Sequence, residues 1–529
     1  MRFILTIISF LFITTSFAQE KVQKIKYKHA DEHRFDRKVD PDAQMMIGHV
    51  SFEHDGTILS CDSAVFYQGK NIMRAFGSVI VNQADTLKMY SDYLDYHGDS
   101  KLALANGNVR LIEPSMTLKS DTVRFDRNQQ IAYYPSYGEI KDSANTLTSL
   151  KGTYHTTDKK LVFTTDVTIT NDKYVMKSNH LTYYTNYKTV YFYGPSTITS
   201  TDNFIYCENG FYDTRNEESY FKKNSYISYG NQTLEGDSIY YDRRKGFGSA
   251  NKNIVVNDTT KNLIIKGEYA EYFENNDSTF VTDRAVAINI MENDSLFIHG
   301  DTLMMTMLPK SKNRLMRVFH KVKMYKNDMQ GKCDSLIYNE EIGEIKMLYD
   351  PIVWSGKNQM TSDTIIVTNN SETEKLDSLK LINNGFIISN DTIDNFNQIK
   401  GKNIYGKFKN NELDIINVVG NSETIYFARN EQKELIGINK AVSSYMLIRL
   451  KENEINEISF ITDPEAELSP NSVIPENARK LKGFSWRNEE RINSKEDIFV
   501  DSPLQINSDQ EAPKPENISK PDINIDNIQ

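Results

Sequence analysis

The chain has 529 residues, a formal net charge of −10 and 39% hydrophobic residues, with acids and bases spread along its length. That distribution argues against a nucleic-acid binder, which needs a basic face. Three cysteines, Cys61, Cys207 and Cys333, are too few and too far apart for a CxxC knuckle or a disulfide framework, while 30 Tyr and 26 Phe favour strands.

The first residues, MRFILTIISFLFITTSFAQ, set Arg2 before an apolar run ending at Ile13 and a small-residue approach to Ala18. This is the layout of a signal peptide over 1–18, cleaved after Ala18 and too short to span a bilayer. No Cys follows the cleavage site, and no later stretch is apolar for long enough to span. The expectation is therefore an exported, soluble protein. A polar segment, 19–47, comes next. His29 and His33 stand four apart there, with His49 and His54 close behind. Four His in 26 residues could bind zinc, but a solvated polar segment accounts for them more simply, so no metal or cofactor is expected.

From about 48 to 463 helical periodicity is almost absent, and short alternating runs of Val, Ile, Thr, Tyr and Phe read as strands. They repeat. CDSAVFY, SDYLDYH, SDTVRFD, GDSIYYD, GDTLMMT, CDSLIYN and SDTIIVT share one template, with its acid at Asp62, Asp92, Asp121, Asp237, Asp301, Asp334 and Asp363. Neighbouring copies lie 29 to 33 residues apart, and the gap from Asp121 to Asp237 equals four periods of 29. A second strand follows each template, often opened by Gly, as at Gly77, Gly107 and Gly138. One unit is thus two strands and two turns. The Asp is expected at the strand entrance, accepting backbone N–H bonds in a turn. Each Cys directly precedes the acidic position of a copy, a slot for a small residue.

Alternation places Ala64/Phe66, Leu94/Tyr96, Val123/Phe125, Leu181/Tyr183, Ile239/Tyr241, Leu336/Tyr338 and Ile365/Val367 on one face, and stacked units should align them as a continuous apolar stripe. A less regular stretch, LPKSKNRLMRVFHK at 308–321, suggests a break near 295–320. The repeats then divide into 48–300 and a less regular 301–463, as one groove or as two. Seven of 13 Pro fall from Pro464 onward, so 464–529 is expected to be a loosely attached extension, disordered at its end.

The motifs LSCDSAVFY…AFGSVIV, MYSDYLDY…ANGNVRL and LKSDTVRFD…SYGEIKD, in an exported chain, resemble the OstA/LptA family, most closely OstA-like proteins of Bacteroidetes-type bacteria. The resemblance spans 60–142 strongly and continues weakly to about 430. It implies an all-β, open V-shaped β-jellyroll, a solenoid-like stack of paired antiparallel strands. It also implies a non-enzymatic periplasmic protein, associated with the outer membrane, that holds the lipid A acyl chains of lipopolysaccharide. Its partners would be other Lpt-type jellyroll proteins of the inner and outer membranes, joined by β-strand addition, or copies of itself head to tail. The role could be that of the bridge or of an accessory subunit.

Other readings of the same residues are weaker. A calcium array needs glycine-rich repeats of about nine residues. A glycosidase needs two carboxyls ~5–9.5 Å apart at one unique place, not at a repeating position. A β-helix enzyme has shorter, three-stranded coils. An exported structural or adhesive repeat protein that binds protein or glycan at the cell surface is the main alternative.

Overall fold

The computed structural model describes residues 23–500, apart from 37, 39, 85, 202, 293, 310, 312, 371–374, 393, 410–411, 431 and 452–453. The expected signal peptide and the last part of the extension, 501–529, lie outside the described residues. The alternating β-branched and aromatic runs form 36 strands in one antiparallel sheet, with four short 3-10 turns and no α-helix among the described residues. Strands pair in chain order. Gln44–His54, Thr57–Tyr67, Ile72–Gln83, Leu87–His97, Leu102–Glu113 and Met116–Asp126 form the first ladder, and the sheet runs without a break through 295–320.

The long strands are interrupted by a register shift in the middle, and here the acid series finds its place. Asp62, Asp92, Asp121, Asp237 and Asp334 stand near strand centres, and Asp301 and Asp363 at breaks between two half-strands. The expected strand entrance is therefore corrected to a mid-strand bend. Likewise Gly107, expected to open a strand, lies inside Leu102–Glu113. The cause is a bulge. The strand after six of the seven acids carries two consecutive left-handed residues opposite the acid, such as Gly77/Ser78, Gly107/Asn108 and Asn383/Asn384; opposite Asp121 only Tyr137 is left-handed. The acid's backbone N–H donates to the first of that pair, as from Asp363 to Asn383 (3.0 Å). Its carboxylate accepts from the second, as from Asn108 Nδ2 to Asp92 (2.8 Å) and Asn253 Nδ2 to Asp237 (3.0 Å). Glycine is required at 77 and 107, because a Cβ there would stand 2.4 and 2.6 Å from the carboxylates of Asp62 and Asp92.

The slot before each acid points inward at the bend, where only a small side chain fits. It holds Cys61, Ser91, Ser120, Ser149, Ser178, Cys207, Gly236, Gly267, Gly300, Cys333 and Ser362, all buried. Ser120, Ser149, Ser178, Cys333 and Ser362 each donate to the carbonyl two residues on, at 2.8–3.2 Å. The three free thiols thus fill a structural position. Burial pushes them up to about 11, 12 and 12 for Cys61, Cys207 and Cys333, which keeps them as unreactive thiols.

Along the line of bends the sheet folds into two facing halves, as Phe52 and Phe66 show by meeting across the interior with ring centroids 5.4 Å apart. Outside, aromatic rings from Tyr184 to Phe280 stack from strand to strand at centroid distances of 5.4–6.4 Å, which helps to fix register.

The extension departs from expectation. Residues 465–500 are docked rather than loose. Glu465–Ser469 pairs with the strand Leu435–Lys451, and the chain then runs back over the outer face of one half-sheet. Gln398 and Gln359 each exchange two hydrogen bonds with this strap, at 2.7–2.8 Å. Lys332 pairs with Glu490 (2.7 Å), and Ile492 and Ile498 are buried against Val286, Ile288, Phe297 and Tyr325. Proline removes backbone donors without preventing docking, because side-chain amides of the sheet supply the bonds.

Candidate functional site

The interior is the candidate site. Of the fourteen expected lining residues, Ala64, Phe66, Leu94, Tyr96, Val123, Phe125, Leu181, Tyr183, Ile239, Leu336, Ile365 and Val367 are buried, while Tyr241 and Tyr338 are half-exposed. The first eight join one apolar cluster running from Ile25 to Phe221. Ile239, Leu336, Ile365 and Val367 join a second, running from Ile239 to Ile448, against which Tyr338 packs. The expected continuous stripe is thus two cores on one ladder, parting between 221 and 239. Tyr241 belongs to neither core; its hydroxyl donates to Glu274 (2.9 Å).

These pairs line only one of the two half-sheets. The other contributes Leu59, Met89, Leu118, Met176, Leu234, Ile265 and Ile298, which sequence reasoning missed. Each lies three residues before the acidic position of its copy, which Asn179 fills after Met176, a signal present at the same period. Cavities remain in both cores. One of about 50 Å³ is lined by Ile25, Phe52, Met73, Leu94, Tyr96 and Phe125. The other, of about 100 Å³, is lined by Leu263, Leu296, Ile298, Met305, Met316 and Tyr338. Both fall short of the roughly 300–1,000 Å³ of ligand pockets. A long apolar ligand needs more room than either cavity offers.

What holds the halves together at their open side is a series of polar clasps between the turns at the two lips. Tyr154 donates to Glu113 (2.8 Å), which also takes Lys159 (2.6 Å). One period on, Tyr183 donates to Asp142 (2.8 Å), which takes Lys188 (3.1 Å). Near the N-terminal end Lys101 meets Asp55 (2.8 Å), and Tyr96 is bonded by His54 (2.6 Å) and Arg127 (3.2 Å). A further set joins Lys261 to Glu340 (2.6 Å) and Arg314 to Asp258 (3.9 Å). Acid, Tyr and Lys recur here at intervals of 29 residues, and no motif drew attention to them.

Asp142 shows why such a clasp holds. Burial works against its charge, yet the Ala144 and Asn145 amides, Tyr183 and Lys188 together keep the carboxyl below its ordinary 3.8. A depressed folded value means that this contribution is fully present above 3.8 and is lost as pH falls through the lower folded value. The Asp142 clasp should therefore loosen only in acid. Amide protection factors, corrected for the pH dependence of intrinsic exchange, should fall in the turns near 142 and 188 once the pH drops below 3.8 and stay constant across neutral pH.

The N-terminal histidines disperse. His54 points inward to Tyr96, His33 stacks on Tyr27, and His29 and His49 flank Asp31 (3.3 and 2.7 Å). Among the described residues no group of three or more His, Cys, Asp or Glu is placed to hold a metal.

An antiparallel ladder folded along its bends around an apolar interior defines the class, an all-β jellyroll of paired antiparallel strands. Residues 22–179 match the family of OstA-like proteins, so this segment is similar to an OstA-like domain. Among solved structures the chain is similar to LptH from Pseudomonas aeruginosa, described as the LptA-homologous periplasmic component of the conserved lipopolysaccharide transport device. Identity is 18%, over 20% of this chain and 79% of that one, with a TM-score of 0.18. No curated protein matches the chain.

Proposed function

We propose that this protein is a non-enzymatic periplasmic carrier or bridge that takes the lipid A acyl chains of lipopolysaccharide into its apolar interior, on their way to the outer membrane. The observation that carries the reading is the buried apolar lining inside a sheet that bears a segment similar to an OstA-like domain. Each 100 Å² of acyl surface taken out of water contributes about 2.5 kcal/mol, enough over a whole chain to offset the opening of a few clasps.

Both ends of the ladder favour strand addition. Lys26–His29 and Glu32–Arg34 at one end, and Glu454–Ile461 and Glu465–Ser469 at the other, each pair on one side only among the described residues. An unpaired edge is a template for a further strand. Other Lpt-type jellyroll proteins of the two membranes, or a second copy of this chain, would extend the interior there. Depleting the protein should strand newly made lipopolysaccharide short of the outer membrane. Normal delivery after complete depletion would overturn the reading.

A further inference from the structure

The clasps stop where the sequence drops their charges. The rung that carries Glu113 and Asp142 carries Asn171 and then Ser200 at the next two periods. The position of Lys159 and Lys188 carries Glu217 and then Gly246. The tyrosine is kept, at 212 and 241. Tyr212 donates no hydrogen bond among the described residues and meets the opposite lip only through its ring, 5.9 Å from that of Tyr174, and Tyr241 turns to Glu274 on its own lip. In this stretch the inward residues Ile205, Tyr212 and Ile227 are half-exposed, as is Leu234, while Phe221 and Ile239 stay buried; the counterparts inside the clasped part, Leu147, Tyr154, Ile169, Met176 and Tyr183, are all buried. Clasps resume at Asp258. This unclasped stretch is also where one core gives way to the other.

We infer that residues 203–246 form a lateral port through which an acyl chain of lipopolysaccharide passes between the surroundings and the interior. The inference rests on the acyl-carrier reading above and names where its cargo crosses the lips. The floor of the port is apolar and continuous with both cores, since Ile205 and Tyr212 pack on the first and Ile227 and Leu234 on the second. A chain laid there replaces water against side chains already in contact with the interior, without first breaking an ion pair. Over the clasped rungs the same entry would uncover Glu113 or Asp142, whose side chains are 3% and 1% exposed.

The repeat supplies its own test, because the clasp can be moved. Asn171 forms the turn that Asp142 forms. Its Oδ1 accepts from Lys173 and Tyr174 (2.8 and 2.9 Å), as Asp142 Oδ1 accepts from Ala144 and Asn145 (2.8 and 2.7 Å). Glu217 has the left-handed backbone of Lys159 and Lys188, with φ of 56° against 53° and 58°. Asn171→Asp with Glu217→Lys should therefore close the port without straining either turn. Asp142→Asn with Lys188→Glu should lengthen it by one rung.

Loading of full-length protein with cis-parinaric acid is followed by the rise in its fluorescence, and lipopolysaccharide is then added to displace it. The closed variant should load at least fivefold more slowly, to the same final signal, and the lengthened variant faster than the parent. Circular dichroism and melting of each variant confirm the fold, and the two variants move the rate in opposite directions. Equal rates for all three, with normal displacement, would overturn the port and leave the carrier reading standing. No loading of the parent, or loading that lipopolysaccharide cannot displace, would overturn both.

Discussion

Phe192→Ala should lower one of two unfolding transitions and leave the other in place. Phe192 is fully buried in the first core, and truncating such a ring costs about 3–5 kcal/mol. The two cores share a sheet but part between 221 and 239, so each half of the ladder should open as its own unit. Calorimetry, or hydrogen exchange resolved along the chain, should show protection lost over 44–221 and retained over 254–448. Uniform loss along the whole chain would mean that the ladder behaves as a single cooperative body.

Gly300→Leu should be nearly as damaging, by the opposite mechanism. A Cβ at 300 would stand 2.5 Å from Cγ1 of Val318, which is fully buried, and 3.2 Å from the Phe319 carbonyl. Neither neighbour can yield without shifting the next strand, so overpacking should cost about 3 kcal/mol. Cys333→Ser at the equivalent bend is the control. Serine stands in this slot at 91, 120, 149, 178 and 362, and a hydroxyl can give the bond that the Cys333 thiol gives to the Ser335 carbonyl (3.2 Å). Its cost should stay within about 1 kcal/mol. Equal melting temperatures for the two variants would contradict the account of the bend.

Period and strand content were legible in the sequence because alternation and the small-Asp pair recur together. The bend was not. Asp62 looks like a turn residue by type, and only its register opposite Gly77/Ser78 shows that the strand continues through it. Half of the lining was missed for the same reason. The bulge shifts alternation by one residue, so Leu59 and Ala64 face the same interior although a simple strand would set them on opposite faces. The clasps escaped notice because Glu113 and Lys159 lie 46 residues apart, one and a half periods, a spacing that has meaning only once the sheet is folded. Composition also misjudged the segment after Pro464, since its apolar anchors are few, and Ile492 and Ile498 show their worth only against the outer face of the sheet.

Photo-crosslinking in cells that make lipopolysaccharide tests the central claim most directly. Benzophenone side chains placed at the inward positions Phe66, Tyr96 and Phe125, and at the outward neighbours Val65, Asp95 and Arg124, compare the two faces of the same strands. Lipopolysaccharide adducts at the inward set and none at the outward set are the predicted result. Adducts confined to the outward set would contradict an apolar interior that carries acyl chains.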